Sequence, residues 1–302
     1  MPEVSGWFSF LLNHVVRPYL PDVYPGRSVT GLHWVEGADP ARFARGADRY
    51  IDPEGRVYSH RLGKLAYDIA IASHGAVVDR LERIFDEIYI DEVQDLTGND
   101  LGVLELMLRS KMNITLVGDV RQSVFSTSRS DTKNKKYQGM NKVEWFREME
   151  RKTLCLIEYR TATWRCTQEI IDFADSVVPV RFSLPNTTSH QSVRTGHDGV
   201  FVVTWDHVPE YLEKFSPEVL RDKSTSKIHE GCTATNFGQA KGITVERVLI
   251  YPTKPIEAFL LTGALLADTS AARLYVAVTR AKHSVAFVVS DSSHHLLPRW
   301  TP

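Results

Sequence analysis

An α/β fold with mainly parallel sheets is predicted for this chain of 302 residues by three observations. Apolar runs of strand length recur along it, among them "IFDEIYI" (84–90), "NITLVGD" (113–119) and "HSVAFVVS" (283–290). Segments of helical periodicity separate these runs, and alternating strands and helices are the pattern of parallel sheets. The length suffices for two compact domains, each with its own core.

Taken in order, residues 7–16 read as an amphipathic helix stopped by Pro18 and Pro21, since a proline ring fixes φ and removes an amide donor. From 22 to 60 the chain is rich in Pro, Gly and charge, which predicts a small irregular insertion; residues 61–83 recover helical periodicity. The runs at 84–90 and 113–119 predict two short buried strands, with the helical "DLGVLELMLRS" between them. The polar, basic stretch 128–141 is a surface loop, "KTLCLIEY" (152–159) a third strand, and "CTQEIIDFADSVV" a helix. Little periodicity survives over 181–198. "GVFVVTWD", "ERVLIYP" and "HSVAFVVS" are further strands, with helices near 208–221 and 268–281. A boundary between two α/β domains falls near 155–162.

Hydrophobic content of 43% and charged content of 24% are ordinary for a soluble globular protein. A net charge of −1 predicts no bulk attraction to nucleic acid, so a polyanion needs a local basic patch. Cys155, Cys166 and Cys232 are odd in number and unpaired in spacing, which fits a reducing cytosol. The eleven histidines form no zinc-binding pattern. No stretch is long and apolar enough to span a bilayer, and the first twenty residues lack the basic start and small-residue cleavage site of a signal peptide. The chain reads as soluble and cytoplasmic.

The chemistry is concentrated in "EIYIDEVQDLTGND" (87–100), an apolar run ending in Asp91, Glu92 and Asp95. Ligands of open α/β sheets sit beyond the carboxyl ends of strands, where Asp91 and Glu92 fall. Such an Asp can hold Mg²⁺ and the following Glu can deprotonate water, although acids at a strand end also simply solvate it. The next run ends in Gly118–Asp119, and Gln122 three residues on has both a donor and an acceptor for a phosphate.

"DEVQD", "GDVRQ", "TWRC" (163–166), "QAKG" (239–242) and "VAVTRA" (276–281) follow one another in the order of helicase motifs II to VI. This ordered series resembles the UvrD/Rep-like superfamily 1A DNA helicases, in particular a short branch linked to bacterial defence. The resemblance implies two RecA-like P-loop NTPase lobes. A partial first lobe would cover 1–158, with an insertion near 20–80, and a second would cover 159–302, with a vestigial insertion near 180–230. It further implies ATP and Mg²⁺ as cofactors, single-stranded DNA as partner, and stepping driven by ATP-dependent closure of the lobes. In that scheme Asp91 serves Mg²⁺, Glu92 activates water and Gln122 couples the γ-phosphate to the strand-binding surface. Trp164 stacks on adenine, Arg165 and Arg280 reach the γ-phosphate, and Lys241 and Gly242 lie near the nucleotide and the strand. Carboxylates and guanidiniums are thereby expected to converge on one triphosphate. Trp7, Phe10 and Phe125 are the candidate base contacts, since every base has a π-face. Departures from the family pattern are Thr127 in place of a second aromatic, Gly238 and Gln239 where motif V usually has His and Lys, and Thr244 in place of a Glu.

G-x-x-x-x-G-K-[ST] occurs nowhere in the chain; the nearest string, "RLGKLAYD", lacks the first Gly and the hydroxyl after Lys64. The family's phosphate loop would lie upstream of Met1. Its loss removes a backbone N–H cradle, a lysine and a Mg²⁺-binding hydroxyl. The strand feeding that loop sits mid-sheet in RecA-like domains, so its absence leaves unpaired strand edges. The expectations are a truncated or strand-borrowing lobe, inactivity of the chain alone, and a minimal translocase core without the usual accessory domains. Two alternatives stand beside this reading. One is a non-catalytic, degenerate helicase module that binds DNA or a nuclease or other defence partner. The other is an unrelated α/β enzyme that uses the acids on a metal.

Overall fold

The computed structural model describes residues 3–35, 38–128, 131–290 and 296–302. The chain forms two compact units, Met1–Asp119 with Ser126–Ile157, and Val120–Phe125 with Glu158–Pro302.

The first unit opens with α1 (Trp7–Phe10), a π-helical stretch (Leu11–Val16) and α2 (Arg17–Val23). Here the predicted stop at Pro18 and Pro21 is corrected, because helix continues through both. The wider π turns, closed by Arg17 N donating to Leu12 O, relax the ladder just before Pro18. Pro18 then falls in the first turn of α2, where a missing donor is tolerated. Next come β1 (Gly31–His33) and β2 (Arg56–Tyr58), a short parallel pair within the otherwise irregular insertion.

Helix α3 (Leu62–Ala72) buries Leu62, Leu65, Ala66, Ile69 and Ala70, the i, i+3, i+4, i+7 stripe of a helix facing a core. It packs against the π stretch and α5 (Asn99–Leu108), after α4 (Ala76–Ile84) and β3 (Glu87–Ile90) have been laid down. β4 (Asn113–Leu116) pairs parallel with β3, from Glu87↔Asn113 to Ile90↔Leu116. Ile88, Ile90 and Ile114 face the helices, but these strands are not fully buried as predicted: Tyr89 is 71% and Val117 54% exposed. α6 (Lys142–Arg151) completes the unit. The predicted third strand at 152–159 is absent. Leu156 is 85% exposed, and the Ile157 amide donates to Glu150 Oε1 (2.8 Å) instead of a ladder partner.

In the second unit β5 (Ala162–Thr163) precedes α7 (Gln168–Val177) and pairs parallel with β6 (Thr188–Ser189). A five-stranded sheet follows, built from β7 (Gly199–Thr204), β8 (Glu218–Arg221), β9 (Thr235–Asn236), β10 (Val245–Tyr251) and β11 (Ala281–Val289). Its order is β7-β11-β10-β8-β9, with every pairing parallel. Helix α8 (Val208–Phe215) lies between β7 and β8, and α9 (Lys254–Thr262) and α10 (Asp268–Val278) between β10 and β11. Val203, Leu249, Tyr251, Ala286 and Val288 join Tyr211 of α8 in one core. Phe287, of opposite parity, meets Phe173 of α7, with ring centroids 5.4 Å apart. Both faces of the interior strand β11 are therefore covered, which explains its nearly continuous apolar run. The predicted helix at 208–221 ends early because Ser216 turns left-handed (φ 44°) and Pro217 follows, so Glu218–Arg221 is free to pair with β10.

Candidate functional site

In the first unit Asp91 and Glu92 leave the carboxyl end of β3 with both side chains exposed. Glu92 adopts a left-handed backbone (φ 52°, ψ 36°), and its amide donates to Asp91 Oδ1 (2.8 Å). Such a conformation in a residue with a side chain is strained and persists only where its surroundings enforce it. Around it the Val93 amide donates to Val117 O (3.0 Å) and the Asp95 amide to Glu92 O (2.9 Å), while the fully buried Gln94 donates from Nε2 to Glu92 Oε2 and accepts from the Asp119 amide at Oε1 (3.1 Å). One side-chain amide thus ties the loops after β3 and β4 together. Gly118 is required by this approach, because a Cβ there would lie 2.3 Å from Gln94 Oε1. From α6, the fully buried Lys142 donates to the Gln94 carbonyl oxygen. Gln94 and Lys142 were not singled out from sequence, since their partners lie in other segments.

Trp7 and Phe10, read from sequence as base contacts, stack on each other (5.6 Å between centroids) and are partly buried. Phe10 also meets Phe85 (6.3 Å), and Trp7 packs against two hydrophobic clusters. Asp100, in the first turn of α5, is 2% exposed, and burial pushes its carboxyl up to about 6.

In the second unit Gln122 meets Arg280. Arg280 is 1% exposed and lies between α10 and β11. Its Nε donates to Val276 O (2.9 Å), Nη1 to Ile243 O (3.4 Å), and Nη2 to Gln122 Oε1 (3.3 Å) and Thr279 Oγ1 (3.2 Å). Arg165, exposed, donates from Nη1 to Thr279 O (3.4 Å), so Thr279 serves both guanidiniums. Cys166 points its sulfur at the same carbonyl (3.5 Å), and burial pushes its thiol up to about 11. Arg121 fastens Val120–Phe125 to this unit through Asp175 Oδ1 and Thr187 Oγ1 (each 3.1 Å) and lies 5.1 Å over the Tyr275 ring. Trp164 is 71% exposed and stacks on His190. Lys241 Nζ lies 5.6 Å from the Phe125 ring centroid, and Gly242 turns the chain at φ 87° before β10. The second unit therefore gathers Gln122, Phe125, Arg165, Lys241 and Arg280, while Asp91 and Glu92 belong to the first. Arg121, Asp175, Thr187 and Thr279 escaped the sequence reading, although Arg121 lies inside "GDVRQ" and Thr279 inside "VAVTRA".

Residues 58–140 match the UvrD/REP helicase N-terminal domain. No curated protein matches the chain. Among solved structures, the PRRSV helicase is similar over 70% of this chain and 37% of its own, at 19% identity and a TM-score of 0.40. The arterivirus nonstructural protein 10 helicase is similar over 67% and 39%, at 16% identity and a TM-score of 0.39. The chain spans about two-fifths of the length of these viral helicases. The architecture of the chain is α/β, with a five-stranded sheet in which every pairing is parallel. Among the described residues no helix is long and apolar enough to cross a membrane, and no His/Cys/Asp/Glu group could hold a metal on three or more side chains.

Proposed function

We propose that the chain is the core of an ATP-dependent helicase or translocase acting on single-stranded DNA, in DNA repair or phage defence. The observation that carries this reading is the match over residues 58–140, which contains Asp91, Glu92 and Gln122. Exposed carboxylates at a strand's carboxyl end are the hard oxygen donors that Mg²⁺ prefers, so Asp91 fits as its protein ligand. Bound there, the ion supplies neutralisation of charge on phosphoryl oxygens. Glu92, oriented by the Gln94 amide, takes the proton of an attacking water. Gln122 reads the γ-phosphate, and Arg165 and Arg280 offset its charge. Trp164 stacks on the adenine, and Lys241 and Gly242 lie near the nucleotide and the strand. Trp7, Phe10 and Phe125 stack on bases of the strand. No phosphate cradle of the G-x-x-x-x-G-K-[ST] type exists among the 302 residues, so the chain alone turns over no ATP.

The burial of Arg280, bonded to two backbone carbonyls, favours a second reading: a non-catalytic helicase-like module that binds DNA or a nuclease partner. Binding of a fluorescent ATP analogue, with and without a single-stranded oligonucleotide, separates the two. The first reading expects the oligonucleotide to tighten analogue binding, and Arg165→Ala to weaken it about tenfold through one lost charge-assisted contact. Oligonucleotide binding with no measurable analogue binding leaves only the second.

A further inference from the structure

We propose that His190 is a positioning residue that, with Trp164, forms a two-ring platform for a purine base; this rests on the reading of Trp164 as the adenine stack. β5 and β6 are each two residues long. These strands pair in parallel register, Ala162↔Thr188 and Thr163↔Ser189, so the next residue of each, Trp164 and His190, is placed side by side. The His190 amide closes the ladder by donating to Thr163 O (2.7 Å). The rings then stack with centroids 5.2 Å apart and planes 21° from parallel.

Neither ring is held by a hydrophobic core, for Trp164 is 71% exposed and His190 is exposed as well. What is fixed is the backbone beneath them. Ser189 N donates to Gln168 Oε1 (2.8 Å) and Ser189 Oγ to Cys166 O (2.6 Å), while Thr187 N donates to Asp175 Oδ2 (2.6 Å). A two-residue strand pair so heavily tied buries little, and its visible effect is to present these two rings in register. The imidazole backs one face of the indole, and the exposure of Trp164 leaves the other face to solvent. A base stacking there meets an indole already backed by one ring, which reduces the entropy lost in ordering that side chain on binding. The bicyclic indole matches the bicyclic purine more fully than a single pyrimidine ring. Arg165, the next residue in the chain, carries an exposed guanidinium that donates to Thr279 O (3.4 Å).

The test measures tryptophan fluorescence of the full chain, with Trp164→Phe subtracted to isolate the Trp164 signal. ADP and CDP are titrated, and acrylamide quenching is measured separately without nucleotide. The platform predicts saturable quenching by ADP and several-fold weaker quenching by CDP. His190→Ala should weaken ADP about fivefold, the loss of one stacking contact, and raise acrylamide quenching of Trp164. His190→Phe should restore both, which a merely structural role for the imidazole would not do. Absence of any ADP signal in the wild type overturns the adenine assignment of Trp164, and this proposal with it. A responsive wild type with His190→Ala unchanged in both measurements overturns the platform alone.

Discussion

Asp100 offers the clearest quantitative test of the packing beneath the acid loops. It sits in the first turn of α5, 2% exposed, with its carboxyl raised to about 6 from an ordinary 3.8, chiefly by burial. A raised carboxyl means the fold disfavours the charged form. The fold therefore has its full stability below about pH 4 and loses part of it as pH climbs through 6. A difference of about two pH units at about 1.36 kcal/mol each sets the loss near 3 kcal/mol. Asp100→Asn keeps the shape and removes the titration. Lys142, whose charge partly offsets the burial of Asp100, loses that partner in the variant, so the net gain at pH 7.5 should be about 1–3 kcal/mol. Urea unfolding of wild type and variant at pH 4 and pH 7.5 measures the difference, the first unit being followed by its own transition. The variant should match the wild type at the lower pH and exceed it at the higher. Equal destabilisation at both values would refute the account of Asp100 as a buried, poorly compensated acid.

Two further outcomes are expected. Gly118→Ala should cost about 1–3 kcal/mol in urea unfolding, because its Cβ meets Gln94 Oε1 at 2.3 Å and Val93 Cγ1 at 3.0 Å and must dislodge the amide that orients Glu92. In the second unit, the His197 ring lies between Phe201 (4.4 Å) and Phe215 (4.0 Å), and burial, followed by the nearby Arg247, lowers it to about 4. The unfolded chain takes up the proton first, so stability should fall by on the order of 2 kcal/mol between pH 6.5 and 4. Denaturant midpoints across that range should flatten in His197→Phe.

Much of the architecture was legible because it is local. The strands at 199–204, 245–251 and 281–289 announce themselves by apolar runs, and α3 by its stripe at 62, 65, 66, 69 and 70. Strand identity at 152–159 was misread because apolar, β-prone residues form a strand only beside a ladder partner, and Ile157 found Glu150 instead. The position of Asp91 and Glu92 just past β3 was likewise legible. What holds them was not. Gln94 reaching Asp119, Lys142 reaching Gln94 and Arg121 reaching Asp175 span 25, 48 and 54 positions, and no periodicity encodes such distances.

The π-helical turns over Leu11–Val16 set the phase of the opening helix. A π turn carries one residue more than an α turn, so everything before it is rotated about 100° from where an uninterrupted α-helix would point it. Trp7 and Phe10 stand upstream of that extra residue, while Leu11, Leu12, Val15, Val16 and Leu20 are buried at and beyond it. The aromatic pair and the aliphatic stripe therefore owe their relative heading to a phase offset of a single residue. Deleting one position from 11–16 would preserve every side-chain type yet swing Trp7 a quarter-turn around the helix axis.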